Sequence, residues 1–191
     1  MPVPQSVAQT LSDEIVDILL KRDMVRQLSE CEVHRAQTLI NELAKVHPAF
    51  AHSLRGGLLG MQRKFDEALR EHHRAIAAEP KNIVIRTNFG STLMEVGRYD
   101  DAVTQYKAAY DMDEHNISAL GDLIEACYYA DKDEEFRVLL ERYRSLAGNT
   151  HPAETWLAED EEDIASLPEL EEESRTGTSV SLEELKKELG L

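Results

Sequence analysis

The chain reads as all-α, a solenoid of about three to four stacked helix pairs followed by an acidic tail. Two observations predict this. The first is a register of 34 residues: Gly56/Gly90, Leu59/Leu93, Phe65/Tyr99, Asp66/Asp100, Ala68/Ala102 and Ala75/Ala109 coincide when the sequence is shifted by that amount. A period of this length is one helix–turn–helix whose apolar face cannot be buried alone, so neighbouring units must stack. The second is charge segregation. Residues 150–191 hold 13 acidic and 3 basic side chains, a net of −10 within a total of −16.

Residues 1–10 show no helical stripe and are expected to be disordered. From 11 to 29, Leu11, Ile15, Ile18, Leu19, Met24 and Leu28 fall at helical spacing, and Ala36, Ile40 and Leu43 repeat the second-helix pattern before Pro48. Residues 11–47 are thus an imperfect first unit. The unit 48–81 carries Gly56, Leu59, Phe65, Ala68, Ala75 and Pro80, with Arg63 in place of a turn glycine and His72 in place of an aromatic residue. The unit 82–115 is the best formed. Gly90, Ala102 and Ala109 let helices approach closely, Gly97 suits the positive φ that ends a helix, and Tyr99 and Tyr106 fill the space around these contacts.

The unit 116–148 keeps Leu123 and Glu134, but Phe136 and Tyr143 stand where small crossing residues are expected. Terminal repeats face water on one side and drift in this way. Residues 149–191 form the tail, with acid blocks at 159–163 and 169–173 separated by Pro168. A helix over 152–166, burying Trp156 on the last repeat, is favoured over an extended chain. At the far end, Ser181 and Glu184 make a capping box and Val180 with Leu185 a hydrophobic staple. Leu182, Leu185, Leu189 and Leu191 then line one side of an amphipathic helix over 181–190, too short to be stable without a surface to fold on.

The 34-residue spacing and its Gly and Ala crossings resemble the tetratricopeptide repeat (TPR) family. The resemblance implies a right-handed solenoid with a concave groove that binds a protein or peptide. Groove positions in that family lie mostly on the first helix of each pair. Here they fall on Phe50, Ser53, Gly57 and Gly60, on Val84, Thr87, Asn88, Ser91 and Met94, and on Gly121, Glu125 and Tyr128. This set is neutral and mildly apolar. Ser53, Gly57, Thr87 and Ser91 occupy the places where chaperone-binding members grip a terminal carboxylate with lysine and asparagine, so that clamp is absent.

The end of the chain also resembles the carboxy-terminal arm of bacterial type II antitoxins, in the run Val180, Ser181, Leu182, Glu183, Glu184, Leu185 and in Leu189. That likeness implies a segment that wraps and neutralises a toxin. The alternative is that this helix docks on its own solenoid. A repeat stack stands where such antitoxins carry a DNA-binding domain, so operator binding is not implied.

An acidic chain without a basic stripe is a poor ligand for phosphate backbones, which excludes direct nucleic-acid binding. No window reaches the roughly 18 apolar residues of a membrane span, and the first residues lack the blocks of a secretory signal. The cytoplasm is therefore the expected compartment. Cys31 and Cys127 lie in separate units and read as buried thiols rather than a disulfide. The histidines show no metal-ligand spacing: His72 and His73 are adjacent on a helix and diverge by about 100°. His72 sits at a packing position. With no phosphate loop, nucleophile motif or metal site, no cofactor and no catalysis are expected. The resulting expectation is a non-enzymatic protein–protein interaction module, or alternatively a small cytosolic chaperone for a secreted protein. The degenerate units leave an edge open to self-association.

Overall fold

The computed structural model describes residues 5–20, 28–148 and 152–153. Eight helices occupy the first two stretches: α1 (Gln5–Leu20), α2 (Glu30–Leu43), α3 (Pro48–Met61), α4 (Phe65–Ala78), α5 (Ile83–Val96), α6 (Tyr99–Tyr110), α7 (Ile117–Tyr129) and α8 (Asp133–Ala147). No strand occurs among the described residues. The helices pair in order, α1 with α2 through α7 with α8. Successive pairs join through α2–α3, α4–α5 and α6–α7, and the first helices also touch directly, α3 with α5 and α5 with α7. This is the all-α repeat solenoid that the register predicts. It falls within one compact unit ending at Gly148, and residues 149–191 form a second unit. Trp156, the acid blocks and the 181–190 segment lie outside the described residues.

Helix starts follow local chemistry. Asn82 and Asn116, one period apart, accept a hydrogen bond from the backbone N–H three residues on (3.3 and 3.0 Å), as N-cap side chains do. Pro48 opens α3 at a position that needs no N–H donor. Ser29 and Glu32 form a reciprocal capping box at α2. α1 begins at Gln5, inside the stretch expected to be disordered. The reason is that Ala8 already packs on the core built by α1, α2 and α3, so the apolar stripe starts earlier than Leu11.

Helix ends repeat with the same period. Arg63, Gly97 and Asp131 all take positive φ (60°, 79° and 53°), and the next N–H in each case bonds back to the carbonyl five residues earlier: Lys64 to Leu59, Arg98 to Leu93, Lys132 to Cys127 (3.0, 2.9 and 3.0 Å). That is a Schellman closure used three times. Only one of the three positions is glycine.

The pairs interlock by a small residue facing a large one. A methyl group on Gly56 would sit 2.6 Å from the His72 ring, and one on Gly90 2.6 Å from the Tyr106 ring. One period on, the same two positions hold Ile124 and Leu140, both buried. The third pair therefore solves the crossing with two aliphatics of similar size. Ala68 and Ala102 are fully buried against their neighbours. Phe136, their counterpart in α8, is buried too and packs against Tyr128 with ring centroids 5.7 Å apart.

Candidate functional site

The first helices of the pairs present one continuous face, and a hollow of about 430 Å³ opens on it. Six residues expected at the groove converge there: Phe50, Ser53, Gly57, Val84, Asn88 and Ser91. They do so because helical residues three and four apart share a face. The remainder of the lining was not foreseen. Val16 and Leu19 come from α1, Leu54 and Met61 from α3, Thr92 and Glu95 from α5. Leu19 belongs to the apolar stripe of residues 11–29 and Val16 lies outside that set, and both sit in a unit that does not share the 34-residue register.

Gly57 is the open floor of this hollow, since a methyl group there would meet nothing within 4 Å. Ser53, expected to touch a partner, is fully buried and accepts a hydrogen bond from the Asn88 amide (3.0 Å). Its hydroxyl joins α3 to α5. Gly60 is buried as well and faces Thr92 and Glu95; it lines a separate hollow with Met61 and Leu28. Thr87 donates to the Val84 carbonyl (3.1 Å), and Met94 is half-buried away from the hollow. Gly121 and Tyr128 on α7 are half-buried and Glu125 is exposed, and none of the three lines the hollow.

The electrostatics differ from the expected neutrality. Along the register the face runs from Leu54, Gly57 and Met61 on α3, through Asn88, Ser91 and Glu95 on α5, to Asp122, Glu125 and Tyr129 on α7. It turns from apolar to acidic. Burial, with the charge of Glu125 added, raises the Asp122 carboxyl to about 6. Burial also raises the Tyr106 hydroxyl, and Asp122, Glu125 and Glu95 push it further, against a hydrogen bond of 3.1 Å with Ser91. All three carboxylates thus act on one buried hydroxyl, which is joined to the hollow through Ser91. Glu95 and Asp122 lie outside the groove positions that the family resemblance implies, and only the contact between neighbouring helices brings them to this face.

The first helices α1, α3, α5 and α7 carry two Lys or Arg residues in all, and both turn aside. Arg86 donates to Gln105 and to the Pro80 carbonyl (both 3.0 Å). Arg55 donates to Asn41 (3.1 Å) and to Glu71. Glu71 is 92% shielded by its surroundings, at 8% exposure. Burial opposes its ionisation, but the hydrogen bond with His52 (2.7 Å) and the charges of His52, Arg55 and Arg74 prevail and hold its pKa below the ordinary value. This side chain ties α3 to α4 on the flank of the stack.

Among the described residues no group of three His, Cys, Asp or Glu is arranged to hold a metal ion, and no helix is long and apolar enough to cross a membrane. Cys127 is buried as expected. Cys31 is exposed instead, because it lies on the first turn of α2, off the stripe formed by Ala36, Ile40 and Leu43.

The tetratricopeptide repeat family model matches residues 93–154. A curated protein, the Hsp70-Hsp90 organising protein of Plasmodium falciparum (isolate 3D7), is 40% identical over 52 residues. That match takes in 27% of this chain and spans only 9% of the length of the curated relative. Among solved structures, a MamA mutant superimposes with a TM-score of 0.59 at 18% identity, covering 93% of this chain and 97% of its own. Pseudomonas aeruginosa PilF gives a TM-score of 0.57 at 18% identity, covering 75% and 64%. At that identity these likenesses show the helical-repeat solenoid fold.

Proposed function

We propose that this chain is a non-enzymatic interaction module, an adaptor that holds a segment of a partner protein in the hollow between α1, α3 and α5. The observation that carries this reading is the open hollow itself: apolar walls from Val16, Leu19, Leu54, Met61 and Val84, a side-chain-free floor at Gly57, and a polar rim at Asn88 and Ser91. Apolar concavities with a few placed polar groups are where proteins take up ligands, and a helix or extended peptide meets such a groove with little rearrangement.

The matched TPR segment and the adaptor-type name of the Plasmodium relative support an interaction role. That relative's chaperone partners are not carried over, because Ser53 and Thr87 stand at the positions of the carboxylate clamp and Ser53 is buried. A small chaperone that shelters one exported protein uses the same groove. The toxin-neutralising role rests on the tail's sequence resemblance.

Affinity capture separates these readings. Full-length protein, Gly57→Trp, Asn88→Arg and a form lacking residues 176–191 are compared by mass spectrometry. Groove binding predicts a partner lost with the first two variants and retained by the truncated form. A partner lost only on truncation refutes the groove and favours the arm.

A further inference from the structure

The face that lines the hollow does not stop at α5. Its register continues to α7, where Leu54 and Asn88 are succeeded by Asp122, and Gly57 and Ser91 by Glu125. The apolar and acidic halves are joined at Ser91, which lines the hollow and lies 3.1 Å from the Tyr106 hydroxyl. Neither Asp122 nor Glu125 has a hydrogen bond or ion pair with any described residue, and no Lys or Arg of α1, α3, α5 or α7 turns toward them. Asp122 is half-buried beside the exposed Glu125, and like charges this close cost free energy that an opposite charge would relieve. The surface is therefore complete only on its apolar side.

We infer that the occupant of this face is a partner segment in which an apolar stretch is followed by Lys or Arg, the apolar part seated between α1, α3 and α5 and the cation placed beside Asp122 and Glu125. This rests on the groove reading above and adds the partner's chemistry to it. A cation arriving beside Asp122 would meet a carboxyl that burial and Glu125 have raised to about 6, and would favour its ionised form. An acidic segment is excluded by repulsion and a wholly apolar one leaves Asp122 and Glu125 without a counter-charge. Selection by charge sign and selection by groove shape are thus read from different helices, which lets one experiment separate them.

The test is selection of random 12-residue peptides displayed on phage, using immobilised full-length protein, the double variant Asp122→Asn/Glu125→Gln, and Gly57→Trp. The carboxylate variants remove a like-charge pair and Gly57→Trp enters open space, so all three proteins are expected to fold. Wild type should enrich peptides that combine large aliphatic residues with a net positive charge. A fluorescent synthetic copy of one such peptide should bind on the order of tenfold more weakly to the double variant, lose affinity with added salt, and fail to bind Gly57→Trp. Enriched peptides that are neutral or acidic, or that bind the double variant as well as wild type, overturn the inference while the groove reading stands. Enrichment unaffected by Gly57→Trp, or no enrichment at all, overturns the groove reading and the inference with it.

Discussion

Replacing His72 by Phe should remove an acid sensitivity from the fold. His72 is fully buried between α3, α4 and α5, its ring stacked on Phe89 with centroids 5.2 Å apart. The Thr92 hydroxyl donates to the Asn88 carbonyl (3.3 Å) and so accepts from His72 Nε2 (2.8 Å), which leaves Nδ1 buried with no partner. Protonation would place a charge and an unsatisfied N–H at that atom. Burial, with the neighbouring His73, accordingly lowers the pKa from 6.5 to about 4, against a small opposing effect of Glu71. Between those values the unfolded chain binds a proton that the folded chain does not, so His72 makes stability fall as pH drops from 6.5 toward 4. At roughly 1.4 kcal/mol per pH unit the full effect is on the order of 3 kcal/mol.

Asp122 works in the other direction. Its carboxyl, raised from 3.8 to about 6, binds a proton in the folded state first, so its contribution improves as pH falls through about 6. The two oppose each other in wild type, so its own pH profile does not isolate either group. The difference between His72→Phe and wild type isolates the histidine. Phe is the right replacement because the homologous socket, Gly90, already houses the six-membered ring of Tyr106. Urea unfolding at about pH 7.5 and about pH 5 should show the variant gaining about 2 kcal/mol on wild type between the two conditions. A gap that stays constant within about 0.5 kcal/mol would refute the assignment of a buried neutral imidazole.

Gly56→Ala and Gly90→Ala should each cost about 2 kcal/mol in urea unfolding, because the added methyl meets an aromatic ring that packing holds in place. At Arg63, a positive φ of 60° is strained for a side chain that offers only a distant contact to the Phe65 ring (6.0 Å); Arg63→Gly should raise the thermal midpoint by the equivalent of a few tenths to about 1 kcal/mol, whereas Gly97→Ala should lower it by about 1 kcal/mol. An aromatic disulfide reagent should titrate one thiol quickly and the second only on unfolding. Cys31 is exposed, while burial and the charge of Glu135 raise the Cys127 pKa to about 11, with Lys132 and Lys107 opposing.

Legibility in the sequence followed the period. Where two units share a small residue at a crossing, position alone pointed to the packing: Ala68 and Ala102 are buried, and a methyl group on Gly56 or Gly90 would strike the ring of the facing helix. The turn residues Arg63 and Asp131 were legible only through their register with Gly97, because neither residue type signals a left-handed backbone. At the groove, six transferred positions converge because helix periodicity decides direction. Ser53 lines the hollow but is buried and held by Asn88 from the next unit, a relation no single repeat contains. Leu19 falls in the apolar stripe of the first helix and Val16 outside it, and α1 carries no repeat signature that would aim either at the groove.

Packing and recognition are carried by separate positions of the same helices, and this explains why the groove can change character within three units while the stack does not. Gly56 and Gly57 are neighbours in sequence. The first cannot accept a methyl group without striking His72, while the second faces empty space. Residues on the crossing side are constrained by the helix they touch, so they stay small or exchange size in compensating pairs, as Ile124 and Leu140 do. Residues one step round the helix escape that crossing constraint, although Ser91 is still hydrogen-bonded to Tyr106 (3.1 Å). A change from Gly57 through Ser91 to Glu125 therefore meets no steric barrier of the kind found at Gly56, and it brings negative charge onto a face whose own arginines are turned aside, as the proposed cationic partner requires.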